Sequence, residues 1–120
     1  MKAKEFPSLE KVSETKILSL LITCCKVAVE RVLRVPDSAW RIRVEAEVRN
    51  VLNFFIKKGG IYIYNFHGPS DGSTRRVVKV NVWRPPPHTS PTSRRYTILF
   101  VLRIDLYNNR WTVMETKLNV

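Results

Sequence analysis

Residues 38–60 read SAWRIRVEAEVRNVLNFFIKKGG. The first half of this stretch obeys two periods at once. Trp40, Ile42, Val44, Ala46 and Val48 alternate with Arg41, Arg43, Glu45, Glu47 and Arg49, the pattern of a half-buried strand. Trp40, Val44, Val48, Val51 and Phe55 also form a stripe at helical spacing. Charge breaks the tie. Arg41 and Glu45, Arg43 and Glu47, and Glu45 and Arg49 are each four apart, where opposite charges meet on a helix surface. Asp37 or Ser38 can cap such a helix, and Gly59-Gly60 can end it. The stretch therefore reads as a helix over about 38–58.

Upstream, Phe6-Pro7-Ser8 suits a helix start. Leu9, Val12, Ile17, Leu20, Leu21, Cys24 and Ala28 recur at helical spacing. Leu18, Ile22, Cys25, Val29, Val32 and Leu33 form a second apolar stripe. A helix over about 9–34 is thus apolar around most of its girth and is expected to be covered from more than one side. One side meets the sheet; the other suits a second copy, giving a homo-oligomer. Downstream the period falls to two. Strands are expected at about 61–66, 75–83, 95–106 and 111–118. Four prolines in residues 84–94 keep that connection extended and out of a sheet interior. The fold class is α+β: two N-terminal helices on one face of a four-stranded antiparallel sheet, in a single domain over residues 1–120.

Lys+Arg number 21 against 10 Asp+Glu, a formal net charge of +11. Residues 60–95 hold six of these cations and one acid. Such an excess selects polyanionic partners, nucleic acid before an anionic membrane. Cys24 and Cys25 are adjacent, diverge on a helix and do not bridge in ordinary geometry. The absence of a disulfide framework fits a reducing, cytoplasmic compartment. The longest apolar run, residues 17–25, falls far short of a membrane span. No signal-peptide pattern is visible at the start. The chain has no Gln but seven Asn, a faint sign of a thermophilic, archaeal-type source.

Alternation assigns sheet faces. Ile61, Ile63, Val78, Val80, Val82, Ile98, Phe100, Leu102 and Ile104 are expected under the helices. The opposite face then carries Tyr62, Tyr64 and Phe66; Arg75, Val77, Lys79, Asn81 and Trp83; and Arg95, Thr97, Leu99, Val101 and Arg103. Aromatic rings stack on single-stranded bases, and neighbouring Arg and Lys neutralise phosphates. Arg84, Arg94 and Arg95 bracket the proline loop. The expected function is non-catalytic binding of single-stranded DNA, with RNA also accommodated, at Tyr62, Tyr64, Phe66, Arg75, Lys79, Trp83, Arg84, Arg94, Arg95 and Arg103. The aromatics Tyr62, Tyr64, Phe66 and Trp83, flanked by Arg75, Lys79, Arg84 and Arg95, give the chain an architecture that resembles the archaeal ThermoDBP-type single-strand DNA-binding proteins. That resemblance implies a hydrophobic cleft holding bases, a basic rim and oligomeric assembly.

Two other readings stay open. Asp105, Glu115 and Lys117 spell D…E-x-K across a hairpin, as in nucleases that hold a divalent cation between carboxylates. A three-residue turn would pair Arg103 with Glu115, set Asp105 on the same face and bring Met114, Thr116 and Leu118 to the core. Alternatively, the aromatic face is a subunit interface of a viral or archaeal assembly protein. His67 and His88 match no metal spacing, and no phosphate loop is present. Neither a metal nor any other cofactor is expected.

Overall fold

A computed structural model describes residues 8–33, 38–71, 74–84, 94–105, 107 and 110–119. Two helices, α1 (Glu14–Val32) and α2 (Trp40–Lys57), precede four strands, β1 (Ile63–Asp71), β2 (Arg75–Arg84), β3 (Arg94–Asp105) and β4 (Arg110–Asn119). The strands form one antiparallel sheet in the order β1-β2-β3-β4. The expected α+β arrangement is correct.

The first helix starts later than expected. Ser13 takes the cap, its side chain accepting from the Lys16 N–H at 3.3 Å. Residues 9–12 instead form a turn, with Val12 N–H bonded to the Leu9 carbonyl at 3.1 Å. Ser8 serves that turn, accepting from Glu10 N–H. Leu9 N–H donates to the Lys58 carbonyl at 2.7 Å and so fastens the turn to the end of α2. The two apolar stripes of α1 merge into one buried face: Ile17, Leu18, Leu21, Cys25, Ala28, Val29 and Val32. Among the described residues cover comes from one side only, and Leu20, Cys24 and Val27 are exposed.

The helical reading of residues 40–57 holds. Ile42, which a strand would have turned inward with Trp40, is 73% exposed, while Trp40, Val44, Val48, Leu52 and Phe55 are buried. Glu45 and Arg49 form their expected pair at 3.0 Å. The expected Ser38 cap is not made: Ala39 occupies the cap position and has no side-chain acceptor. Asp37 lies outside the described residues. The C-terminus is a double-bonded Schellman turn. Gly59 sits at φ 82°, its N–H bonded to the Ile56 carbonyl, and Gly60 N–H reaches the Phe55 carbonyl at 2.8 Å. A Cβ at Gly60 would approach Leu9 Cδ1 to 3.0 Å, so the glycine also lets the turn close against the core.

One core joins the helices to the sheet. Val78, Val80 and Val82 of β2 and Ile98, Phe100 and Leu102 of β3 are fully enclosed under the helices, as alternation requires. Tyr96 closes one end by donating its hydroxyl hydrogen to Glu14 Oε1 at the start of α1. Arg76 closes another. Its guanidinium lies between the rings of Trp40, 4.3 Å away, and Trp111, 3.9 Å away, and the residue is 8% exposed. Cation–π contact with two indoles offsets part of the desolvation of that charge. Arg76 is therefore a structural cation.

The hairpin of β3 and β4 corrects one register. Arg103 stands opposite Thr112, and Asp105 opposite Arg110. A bulge follows at Val101/Leu102, after which Glu115 stands opposite Val101 and Lys117 opposite Leu99. The expected Arg103–Glu115 pair does not form, because the hairpin closes with Asp105 opposite Arg110 and so sets Arg103 against Thr112 before the bulge, whose extra residue is Met114. Met114 is 60% exposed and is not part of the core. Thr116 and Leu118 do stand opposite Phe100 and Ile98 on the helix side, yet both are exposed there.

Both thiols are free. Burial, and then the neighbouring Cys24, push the Cys25 thiol from 9.0 up to about 12. Since the thiolate is the nucleophile, a disulfide reagent at pH 8 should titrate Cys24 promptly and Cys25 only after denaturation. Two prompt equivalents in native protein would contradict the buried position. The sign for stability follows. The unfolded thiol ionises near 9 while the folded one stays protonated, so this group costs stability as pH rises above 9.

Candidate nucleic-acid interface

The helices cover one face of the sheet, and among the described residues no element covers the other. Which residues reach the open face is set by strand phase. In β2 and β3 the phase is the expected one. In β1 it is inverted. Ile61 is buried, but it precedes the strand, and the next two residues both point out: Tyr62 is 68% and Ile63 52% exposed. The alternation then resumes one residue out of step. Tyr64 stands opposite Val82 and Phe66 opposite Val80, on the helix side.

Tyr64 and Phe66 therefore leave the site that the sequence assigned them. They pack against α2 instead. Tyr64 donates to Asn53 Oδ1 at 3.0 Å, and the Arg49 guanidinium lies 5.8 Å from the Tyr64 ring and 5.3 Å from the Phe66 ring. Arg49 also donates to the Tyr64 hydroxyl at 3.4 Å. That bond, then the one to Glu45, raises its pKa further and keeps the guanidinium charged.

Ile63, Asn65 and His67 take their place on the open face, opposite Trp83, Asn81 and Lys79. Cross-strand register sorts this face into tiers. At one end Trp83 stands opposite Arg95, whose guanidinium is 5.4 Å from the indole centroid. Below it runs a polar row. Asn81 shares a 2.9 Å hydrogen bond with His67 and accepts one from Thr97 at 2.7 Å. Next, Lys79 and Lys117 flank Leu99. Val77 and Val101 form an apolar row beyond them, Val101 being 2% exposed. At the far end Arg75 and Arg103 stand directly opposite each other. Like charges so placed repel.

Arg75, Lys79, Arg95, Arg103 and Lys117 are all exposed. The acidic side chain described on this face is Glu115, and it already bonds Lys117 at 3.7 Å. Of the expected site residues, the fold thus brings together Arg75, Lys79, Trp83, Arg95 and Arg103. Tyr62 is exposed just before β1, its N–H bonded to the Trp83 carbonyl at 2.6 Å. Arg84 and Arg94 stand opposite each other where β2 and β3 meet the proline-rich connection. Their side chains, and that connection itself, lie outside the described residues. Sequence reasoning missed His67, Asn81 and Thr97 as a bonded polar row, and placed Lys117 only in a nuclease pattern.

The register separates that pattern. Asp105 stands opposite Arg110 and Glu115 opposite Val101, four residues along β3. Four residues of strand put these two backbone positions about 13 Å apart; the Asp105 side chain lies outside the described residues. Lys117 is paired with Glu115. Among the described residues no group of three or more His, Cys, Asp or Glu is placed to hold a metal ion. No described helix is long and apolar enough to cross a membrane. Comparison of the chain with protein-family models, with curated proteins and with solved structures gives no match.

Proposed function

We propose that the protein binds single-stranded nucleic acid on its open sheet face, without catalysis. One observation carries this reading: an uncovered face bears Arg75, Lys79, Arg95, Arg103 and Lys117 with Glu115 as its described acid, and Trp83 lies among them beside Arg95. Cations in three of the five tiers, on β2, β3 and β4, follow a phosphate backbone, and an indole offers a stacking platform for a base. A broad sheet does not enter a duplex groove, and α2 mixes charge signs instead of presenting a recognition helix.

The phase of β1 narrows the chemistry. Stacking rests on Trp83, with exposed Tyr62 next to it, instead of a four-ring cleft. The resemblance to ThermoDBP-type proteins keeps Arg75, Lys79, Trp83 and Arg95 and loses Tyr64 and Phe66. A cytoplasmic setting accords with two free thiols.

The experiment is a fluorescence titration with single- and double-stranded oligonucleotides across a salt series. Each neutralised phosphate of a single strand contributes about −0.7 to the slope of log K against log salt. If Arg75, Lys79, Arg95 and Arg103 each take one, the slope should be about −2.8, steepening to about −3.5 where Lys117 joins. Removing Arg75 or Arg103 should flatten it by about 0.7. A flat salt response, or duplex bound as tightly as single strand, would defeat the proposal.

A further inference from the structure

Strand β4 has β3 on one side and, among the described residues, no strand on the other. A bare edge offers unpaired backbone N–H and C=O groups to another chain. Edges are guarded by proline, by bulges, by inward-pointing charge or by charged side chains, Lys above all; on this half of β4 the Lys117 charge is already met by Glu115. The bulge of β4 lies toward its hairpin end. Residues 115–119 have no proline and keep regular register with β3. Side chains here are open on both faces: Glu115 and Lys117 on the basic face, Thr116 and Leu118 on the helix side.

We propose that this half of β4 pairs antiparallel with β4 of a second copy of the chain, about a two-fold axis normal to the sheet at Thr116. Charge selects the register. A two-fold interface is self-complementary, so each cross-strand contact occurs twice. Centred on Thr116, Glu115 lies opposite the partner's Lys117, and Lys117 opposite the partner's Glu115. Glu115 and Lys117 also neighbour each other within one chain, at 3.7 Å. The four side chains then form a checkerboard of alternating sign. Centring the axis on Glu115 would set that carboxylate against itself, and centring it on Lys117 would oppose two ammonium groups; both are unfavourable. In the favoured register Met114 and Leu118, 60% and 39% exposed, also fall opposite one another. The pairing joins two open faces into one continuous sheet. It stands on the edge alone and holds whether or not the face binds nucleic acid.

Sedimentation equilibrium of the full chain from micromolar to millimolar concentration tests it. The wild type should dimerise reversibly. Lys117→Glu and Glu115→Lys should each weaken the dimer on the order of tenfold or more, since every opposite pair becomes a like pair. An equimolar mixture of the two variants should regain wild-type association, because each like pair is again opposite across the heterodimer. The chain carrying both substitutions should associate as the wild type does, and it serves as the readout should a single variant fold poorly by circular dichroism. A wild type monomeric throughout, a dimer indifferent to both reversals, or a mixture that stays dissociated would each overturn the proposal.

Discussion

Replacing Phe66 by alanine should destabilise the protein by about 3–5 kcal/mol and leave the oligonucleotide affinity of the folded chain unchanged. Phe66 is 8% exposed and stands opposite Val80 in the layer between β1 and α2. Its ring lies under the Arg49 guanidinium at 5.3 Å. Truncation removes the transfer free energy of the ring and leaves a cavity beneath α2, which the helix, tied down by Val48, Leu52 and Phe55, fills only in part. A domain of this size has roughly 5–15 kcal/mol in total, so the loss should lower the melting temperature by roughly 10 °C or more. Thermal denaturation and a titration well below the new midpoint separate the two quantities. A variant with near-native melting and weakened binding would return Phe66 to the open face and invalidate the phase of β1.

That phase is also where sequence and structure part. Residues 61–66 are apolar at every position but Asn65. Alternation within Ile61-Tyr62-Ile63-Tyr64 cannot say which set points in, because both sets are apolar. The expectation keyed on the isoleucines, and Ile61 is indeed buried. It is buried from the loop before the strand, and Tyr62 and Ile63 then face out in succession. The polar residues held the answer. Asn65 and His67 are both odd-numbered, and continuing them outward puts Tyr64 and Phe66 inside. In β2 and β3 polar and charged residues recur at odd positions at both ends of each run, Arg75, Lys79 and Asn81 in one and Arg95, Thr97 and Arg103 in the other, and there the faces were legible.

The helices show the same division between local and long-range causes. The i,i+4 charge pairs and the glycines at 59 and 60 identified α2 because both are local signals, and Glu45 with Arg49 and the Schellman turn are both present. The start of α1 was not legible. Leu9 and Val12 carry helical spacing, yet they serve a turn whose hydrogen bond goes to Lys58, far along the chain. The bulge at Met114 is of this kind too. It shifts β4 by one residue and sets Glu115 against Val101, which no short motif announces. Arg76 illustrates the limit of charge counting. It adds to the net charge of the chain, but its guanidinium is held between Trp40 and Trp111 and does not belong to the open face.

Replacing Trp83 by alanine should have the reverse profile of Phe66→Ala. Trp83 lies outside the enclosed core and stands half-buried on the open face between Ile63 and Arg95. Loss of a stacking platform costs about 1–3 kcal/mol per base, a fall in affinity of roughly fivefold to a hundredfold or more. Stability should change far less than for Phe66. The salt slope should hardly move, because no cation is removed. Arg95→Ala supplies the contrast: it deletes a phosphate partner and should flatten the slope by about 0.7 while leaving the indole in place. Trp83→Phe should recover much of the affinity, since the smaller ring still stacks. The two substitutions therefore separate the base contact from the backbone contact on adjacent strands. Equal affinity of wild type and Trp83→Ala for single strands would leave only a basic surface without a base site, and duplex and single strand would then be bound according to charge density alone.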